Sequence, residues 1–193
     1  MAGHARYTAI LDACVLFPAP IADALISLHA AGLFAAQWSE RIDEEWIRGV
    51  LRARPELEGK LQRRRDAMRR AVPDWEVSPL AYEPLMPGLG LPDKDDVHVL
   101  AAAIAGHADC IVTLNLKDFP ADLLGKHGLE AIHPDDFLVY QLDLEPIAAL
   151  AAFKAMRDRL RNPQLTVDEF IAMLQRNGLV NTALRLQEAR ALV

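Results

Sequence analysis

The sequence predicts an α/β fold built on a mainly parallel sheet, closed by a small helical extension. Three observations predict it. Short apolar runs of strand character alternate with helical patterns through the first two-thirds of the chain. After about residue 142 the pattern becomes purely helical. With 193 residues, 52% hydrophobic and 25% charged, the composition is globular and sufficient for one domain of ordinary size.

The elements follow in order. Residues 7–11 read as a buried strand ending at Asp12, and residues 111–114 as another ending at Asn115. Two shorter strands are expected at 34–38 and 129–133. Helical patterns fall near 20–31, 40–53, 56–71 and 95–107, with a shorter one after Pro120. The stretch 73–94 is rich in proline and glycine and reads as a long connection. Beyond it, 145–161 forms a helix, Thr166-Val167-Asp168-Glu169 is a capping-box signature, and Asn177-Gly178 is a stop before a last helix. The expected division is a domain at 1–142 and an extension at 143–193. The extension packs on the domain in one reading and binds a partner in the other, and its near-balanced charge gives no support for DNA contact.

Composition narrows the function. No apolar run approaches the ~20 residues that cross a bilayer. Residues 1–6 lead directly into the first strand without a signal-peptide core, so the expected compartment is the cytoplasm, with no membrane partner. Cys14 and Cys110 are too far apart in sequence for a zinc knuckle and read as reduced core thiols. The six histidines are scattered without helix-face metal spacing. The net charge of −6 conceals an asymmetry: residues 48–70 carry nine basic side chains and three acidic ones, net +6, which leaves the rest at −12. A basic stripe on an acidic protein suits a polyanion docked at one place, or else a solvated helix face.

In open α/β sheets, ligands bind beyond the carboxyl ends of the strands. Asp12 closes the first strand, and Asn115 with Asp118 follows a later one, so these polar groups converge on one edge. On the 95–107 helix each residue advances about 100° around the axis. Asp96 then lies on the face of Leu100, Ala103, Ile104 and His107, whereas Asp95 points away from it. On the 39–53 helix the apolar face rejects Glu40 and Glu44 but leaves Asp43 and Glu45 as alternatives. Carboxylates gathered at one edge repel unless a cation neutralises them. Oxygen ligands without histidine or thiolate favour Mg²⁺ or Mn²⁺, which activates water and stabilises charge on a phosphate. The basic stripe, with Arg48, Arg52, Arg63 and Arg64, would hold the flanking phosphates. Aspartyl phosphatases need Asp-x-Asp, which Asp12-Ala13-Cys14 does not supply, and a receiver domain needs a paired acid that is also missing.

These segments resemble a known family. Ile10-Leu11-Asp12-Ala13-Cys14-Val15-Leu16 is similar to the opening strand of PIN domains, and Ser39-Glu40-Arg41-Ile42-Asp43-Glu44-Glu45-Trp46 to their second motif. There the functional glutamate precedes a bulky apolar residue, which selects Glu45. Asp96-Val97-His98-Val99-Leu100-Ala101-Ala102-Ala103 resembles the third motif. Ile111-Val112-Thr113-Leu114-Asn115-Leu116-Lys117-Asp118-Phe119-Pro120 resembles the fourth, with asparagine where many members have aspartate. The match covers roughly residues 6–140 and is nearest to VapC-like toxins with a C-terminal extension. It implies a three-layer α/β/α domain, usually a homodimer, that hydrolyses RNA with Mg²⁺ or Mn²⁺. It further implies a cognate antitoxin, a small DNA-binding protein. Asp12, Glu45 and Asp96 would hold metal, while Thr113 and Asn115 orient ligands or water. Asn115 supplies less field than a carboxylate, so Asp118 compensates or a second metal binds weakly. The same asparagine leaves a second reading, an RNA-binding or regulatory module of weak or no activity.

Overall fold

A computed structural model describes residues 7–193. Residues 1–6, expected to lead directly into the first strand, lie outside the described residues. Four parallel strands form one sheet: β1 (Thr8–Leu11), β2 (Ala35–Gln37), β3 (Cys110–Val112) and β4 (Glu130–Ile132). Their order is β2-β1-β3-β4, which places β1 and β3 at the centre. Ile10, Leu11, Cys110, Ile111 and Val112 are all fully buried. Helices cover both faces of a parallel sheet, so its central strands are continuous apolar runs instead of alternating ones.

From β1 the chain passes through α1 (Ala13–Leu16) and α2 (Ala19–Ala30) to β2. It continues through α3 (Glu40–Ala53), α4 (Leu61–Ala71), α5 (Pro79–Tyr82) and α6 (Val97–Ala105) before entering β3 on the opposite side of β1. The short α7 (Ala121–Leu124) leads to β4. The result is a three-layer α/β/α domain whose strand order reverses between β1 and β3. That reversal opens a crevice at the carboxyl ends of the two strands. Among the described residues no helix is long and apolar enough to cross a membrane.

The C-terminal part consists of α8 (Pro134–Leu144), α9 (Pro146–Arg159), α10 (Val167–Arg176) and α11 (Val180–Glu188). It shares the domain's core: Phe137 of α8 meets Phe34 edge-on at 4.8 Å between ring centroids, and α9 packs along α2. The capping box forms as expected, with Glu169 N donating to Thr166 Oγ1 (3.3 Å) and Thr166 N to Glu169 Oε2 (2.9 Å). Gly178 takes φ of +86°, a left-handed turn that suits glycine and ends α10.

Several expectations are corrected. The strand expected at 111–114 is Cys110–Val112, because Leu114 N turns away to donate to Cys14 Sγ (3.1 Å). The helix expected at 56–71 starts only at Leu61, after a left-handed turn at Gly59 (φ +74°). The 73–94 connection is not featureless. Trp38 N bonds Trp75 O (2.7 Å) and Val77 N bonds Trp38 O (2.9 Å), so the segment runs beside the end of β2 before forming α5 and a 3-10 turn at Glu83–Gly88. The helix expected at 95–107 ends at Ala105. His107 is exposed beyond it at φ 50° instead of joining the apolar face. Every residue from Val97 to Ala103 is buried, so α6 has no polar side and its wheel could not rank one face above another.

Candidate active site

The crevice between β1 and β3 is stitched together around Asp12. Asp12 follows the last residue of β1, and its N–H still bonds Val112 O across the sheet (3.2 Å). The side chain is only 4% exposed. Thr113, just past β3 and fully buried, donates Oγ1 to Asp12 Oδ2 at 2.7 Å. Cys14 Sγ donates to the same oxygen at 2.9 Å. Asn115 N donates back to Thr113 Oγ1 (3.0 Å), so the turn after β3 is tied to the carboxylate it faces. Burial, then the adjacent Asp12 charge, pushes the Cys14 thiol up to about 12, which keeps it a protonated donor. Cys110 is a core thiol as expected, but Cys14 borders the cleft and belongs to the Asp12 network.

Helix α3 supplies the second wall. Ser39 caps it, accepting from Ile42 N (3.3 Å). Asp43 is fully buried and accepts from Trp46 Nε1 (2.8 Å), Arg69 Nε (2.8 Å) and Arg65 Nε (3.3 Å). Arg65 and Arg69 bind α3 to α4 while Trp46 lies on α3 itself, and the carboxylate faces these partners instead of the cleft. Geometry separates the two residues that helix periodicity left together: Asp43 is an internal anchor, and Glu45 lines the cleft. Glu44 is exposed and, among the described residues, pairs only with Arg48 (3.5 Å).

Glu45 Oε1 has three positively disposed neighbours: His98 Nε2 at 3.0 Å, Arg41 Nε at 3.3 Å and Arg48 at 3.8 Å. Burial pushes the Glu45 carboxyl up, but His98 and Arg41 outweigh it and hold it below the usual range. His98 is fully buried on α6; among the described residues neither ring nitrogen has a partner in hydrogen-bond geometry, so Nε2 meets Glu45 Oε1 as a close polar contact at 3.0 Å and not as an aligned bond.

Asp96 stands at the N-terminus of α6 without capping it, so its carboxylate is not spent on the helix. Burial and the charges of Asp12, Asp93, Asp118 and Glu45, in that order, push it up to about 7. The cause identifies the company it keeps: carboxylates from three separate parts of the chain act on one group. Asp95 is exposed and lines the cleft, although helix phase turned it away. Asp93 Oδ1 accepts from Asp95 N (2.9 Å) in the turn leading into α6.

Together these residues border a cleft of about 730 Å³, with Asp12, Glu45, Asp96 and Asn115 in its lining. Asp118 lies outside that lining, in a single 3-10 turn, and reaches the site through its charge on Asp96. Arg41, Arg48 and Arg52 border the cleft on the Glu45 side of α3, Arg41 and Arg48 one turn to either side of Glu45 and Arg52 one turn further on. Arg63 is exposed on α4 and is not part of the lining. Arg64 is corrected from a phosphate ligand to a structural clamp. It donates to Leu16 O and to Phe17 O (3.2 Å), and its guanidinium stacks on Trp46 at 4.6 Å.

The donor set fits a hard divalent cation in chemistry, being all carboxylate oxygen with unrelieved mutual repulsion at Asp96. Among the described residues no three acidic, imidazole or thiol groups stand close enough to ligate one ion. Sequence reasoning missed Arg41, His98, Cys14, Asp95 and Phe17. Arg41 was recoverable, since it lies one turn before Glu45. His98 gave no signal, because its helix is apolar on every side.

A family model described as PIN domain matches residues 8–117, and one described as VapC50 C-terminal domain matches residues 134–188. Among curated proteins, the chain is similar to one named "Putative ribonuclease VapC50" from Mycobacterium tuberculosis (strain ATCC 25618 / H37Rv), 49% identical over 71 residues. That match covers 37% of this chain and 42% of the relative, less than half of its length. No solved structure matches the chain.

Proposed function

The chain belongs to the PIN-domain family and carries the C-terminal domain named for VapC50, and on that premise we propose that it is a metal-dependent endoribonuclease, the toxin of a toxin–antitoxin pair. The observation that carries the reading is Asp96, which burial first and then the charges of Asp12, Asp93, Asp118 and Glu45 raise to about 7, in a cleft that Asp12, Glu45, Arg48 and Arg52 also border. Acid that repels itself, beside base that attracts phosphate, suits an oxygen-bound cation and a polyanion held together.

Asp12, Glu45 and Asp96 border one cleft and would hold Mg²⁺ or Mn²⁺ partly through its coordinated waters, since no three such groups stand within direct ligating distance among the described residues. When bound, such an ion supplies an activated water and charge stabilisation at the scissile phosphate. The chain's own residues do the rest. Thr113 and Cys14 fix Asp12 through a single oxygen, Oδ2, so the carboxylate cannot rotate freely. Arg41 and His98 fix Glu45 through Oε1 and hold it ionised. Arg48 and Arg52 neutralise phosphates flanking the cut. Asn115 orients water or a phosphate oxygen at the cleft rim, and Asp118 adds the field that the neutral amide lacks. Residues 1–142 constitute the nuclease domain in this reading, and 143–193 a helical extension. A homodimer in the cytoplasm, blocked by a small DNA-binding antitoxin, completes it.

The test is cleavage of single-stranded RNA by the purified chain in Mg²⁺ or Mn²⁺ and in EDTA. Cleavage should require the metal and be lost in Asp12→Asn and Asp96→Asn while both variants stay folded. Full activity in both variants would overturn the carboxylate mechanism. Coexpression with the product of an adjacent small reading frame tests the antitoxin by relief of growth arrest.

A further inference from the structure

Phe17 lies in the same cleft and has no role in the chemistry above. It follows α1, borders the cleft beside Arg48, Arg52 and Leu114, and is 38% exposed. An exposed phenylalanine alone needs no explanation. Here three features of the fold hold its place. The backbone carbonyls of Leu16 and Phe17 both accept from Arg64, which fixes the turn that carries the ring. Arg64 is itself held against the face of Trp46, a core residue of α3 that also borders the cleft. The ring then lies against Gly49, where a β-carbon would stand only 3.1 Å from Phe17 Cδ2. A glycine in α3 weakens the helix relative to alanine, and the space it leaves is occupied by the Phe17 ring.

A fixed, partly exposed aromatic ring beside a row of arginines is the arrangement that binds single-stranded nucleic acid. The cations track the phosphates, and the ring receives a base whose partner strand is missing. We propose that Phe17 is the stacking shelf for one unpaired nucleobase of the RNA in this cleft. The inference rests on the ribonuclease reading. Stacking is indifferent to base identity, so the shelf selects an unpaired base over a paired one without naming the sequence.

The test uses an RNA oligonucleotide with one 2-aminopurine, whose fluorescence falls on stacking. It is titrated into the full-length Asp12→Asn chain in Mg²⁺, where cleavage is silenced. Quenching is expected on binding, whereas the same oligonucleotide annealed to its complement binds more weakly and shows no further quenching. Phe17→Leu keeps the apolar bulk and removes the ring; it should lose the quenching and bind roughly tenfold or more weakly. Phe17→Trp should keep both. Matching circular-dichroism melts for the three chains verify folding. Equal quenching and affinity in Phe17→Leu, or equal binding of the duplex, overturns the shelf and leaves the ribonuclease reading in place. RNA that is neither bound by this chain nor cut by the wild type overturns both.

Discussion

His98 Nε2 lies 3.0 Å from Glu45 Oε1, so a fully buried imidazole on α6 meets the one carboxylate that α3 presents to the cleft. The contact joins α3 and α6, the helices that carry Glu45 and Asp96 to the cleft. Its consequence is positional: Glu45 has one oxygen committed to His98 and the arginines, and its direction is set before any ligand arrives.

Replacing His98 with phenylalanine keeps the volume and removes the tether. Groups that orient a metal's ligands typically change its affinity by about 10–100-fold. We expect Mn²⁺ binding, followed by electron paramagnetic resonance, to weaken at the low end of that range, with the thermal midpoint little changed. Unaltered Mn²⁺ affinity would mean that Glu45 needs no orienting partner.

Asp43 and Glu44 are adjacent acids with opposite fates. Asp43→Ala leaves the buried Trp46 indole N–H without its acceptor and the half-buried Arg65 and Arg69 with Glu40 alone, and should cost about 3 kcal/mol in urea denaturation. Glu44→Gln removes only an exposed pair with Arg48 and should fall within about 0.5 kcal/mol of the parent. Comparable losses would contradict the buried anchor.

The raised Asp96 carboxyl makes stability depend on pH with a defined sign. Its folded value near 7 exceeds the usual 3.8, so the folded chain binds the proton more tightly than the unfolded chain does. That contribution is complete below about pH 4, is lost progressively as pH rises to about 7, and is absent above. In EDTA, Asp96→Asn should lack this fall and be the more stable chain at pH 8. Parallel melting curves for the two chains between pH 4 and 8 would count against the clustered charges.

Asp135 caps α11 from 47 residues away. Its Oδ1 accepts from Thr182 N and Thr182 Oγ1, and its Oδ2 from Asn181 N, each at 2.8 Å. Asp135→Ala leaves buried donors at the start of α11 unsatisfied and should cost about 2 kcal/mol. Hydrogen exchange should show faster opening of α11 than of β1 or β3. Uniform acceleration across the chain would place the cap in the global fold instead.

Asp12 and Glu45 show how much of this was legible in the sequence. Asp12 closes an apolar run, and a parallel sheet delivers such a residue to the carboxyl edge wherever the strand stands in the order. Glu45 was not separable from Asp43 by periodicity, since both flank the apolar stripe of α3. Only the family motif preferred one, and only the position of Arg65 and Arg69 on α4 shows why Asp43 is turned inward. Arg64 was misread for the same reason: a basic residue on a helix looks alike whether it meets solvent or the carbonyls of Leu16 and Phe17.

By itself the sequence determined the alternation of strand and helix, the polar residues at the strand ends and the helical character of the C-terminal part, but not α8, whose Pro134–Leu144 span crosses the expected boundary at 142. These depend on local periodicity and capping, which act within a few residues. Tertiary structure alone decided the partners: His98 with Glu45, Arg64 with Trp46, Phe17 on Gly49, and the carboxylates that raise Asp96. Each of these joins separate elements, and the strength of a charge or a contact depends on distance and burial that no single segment encodes.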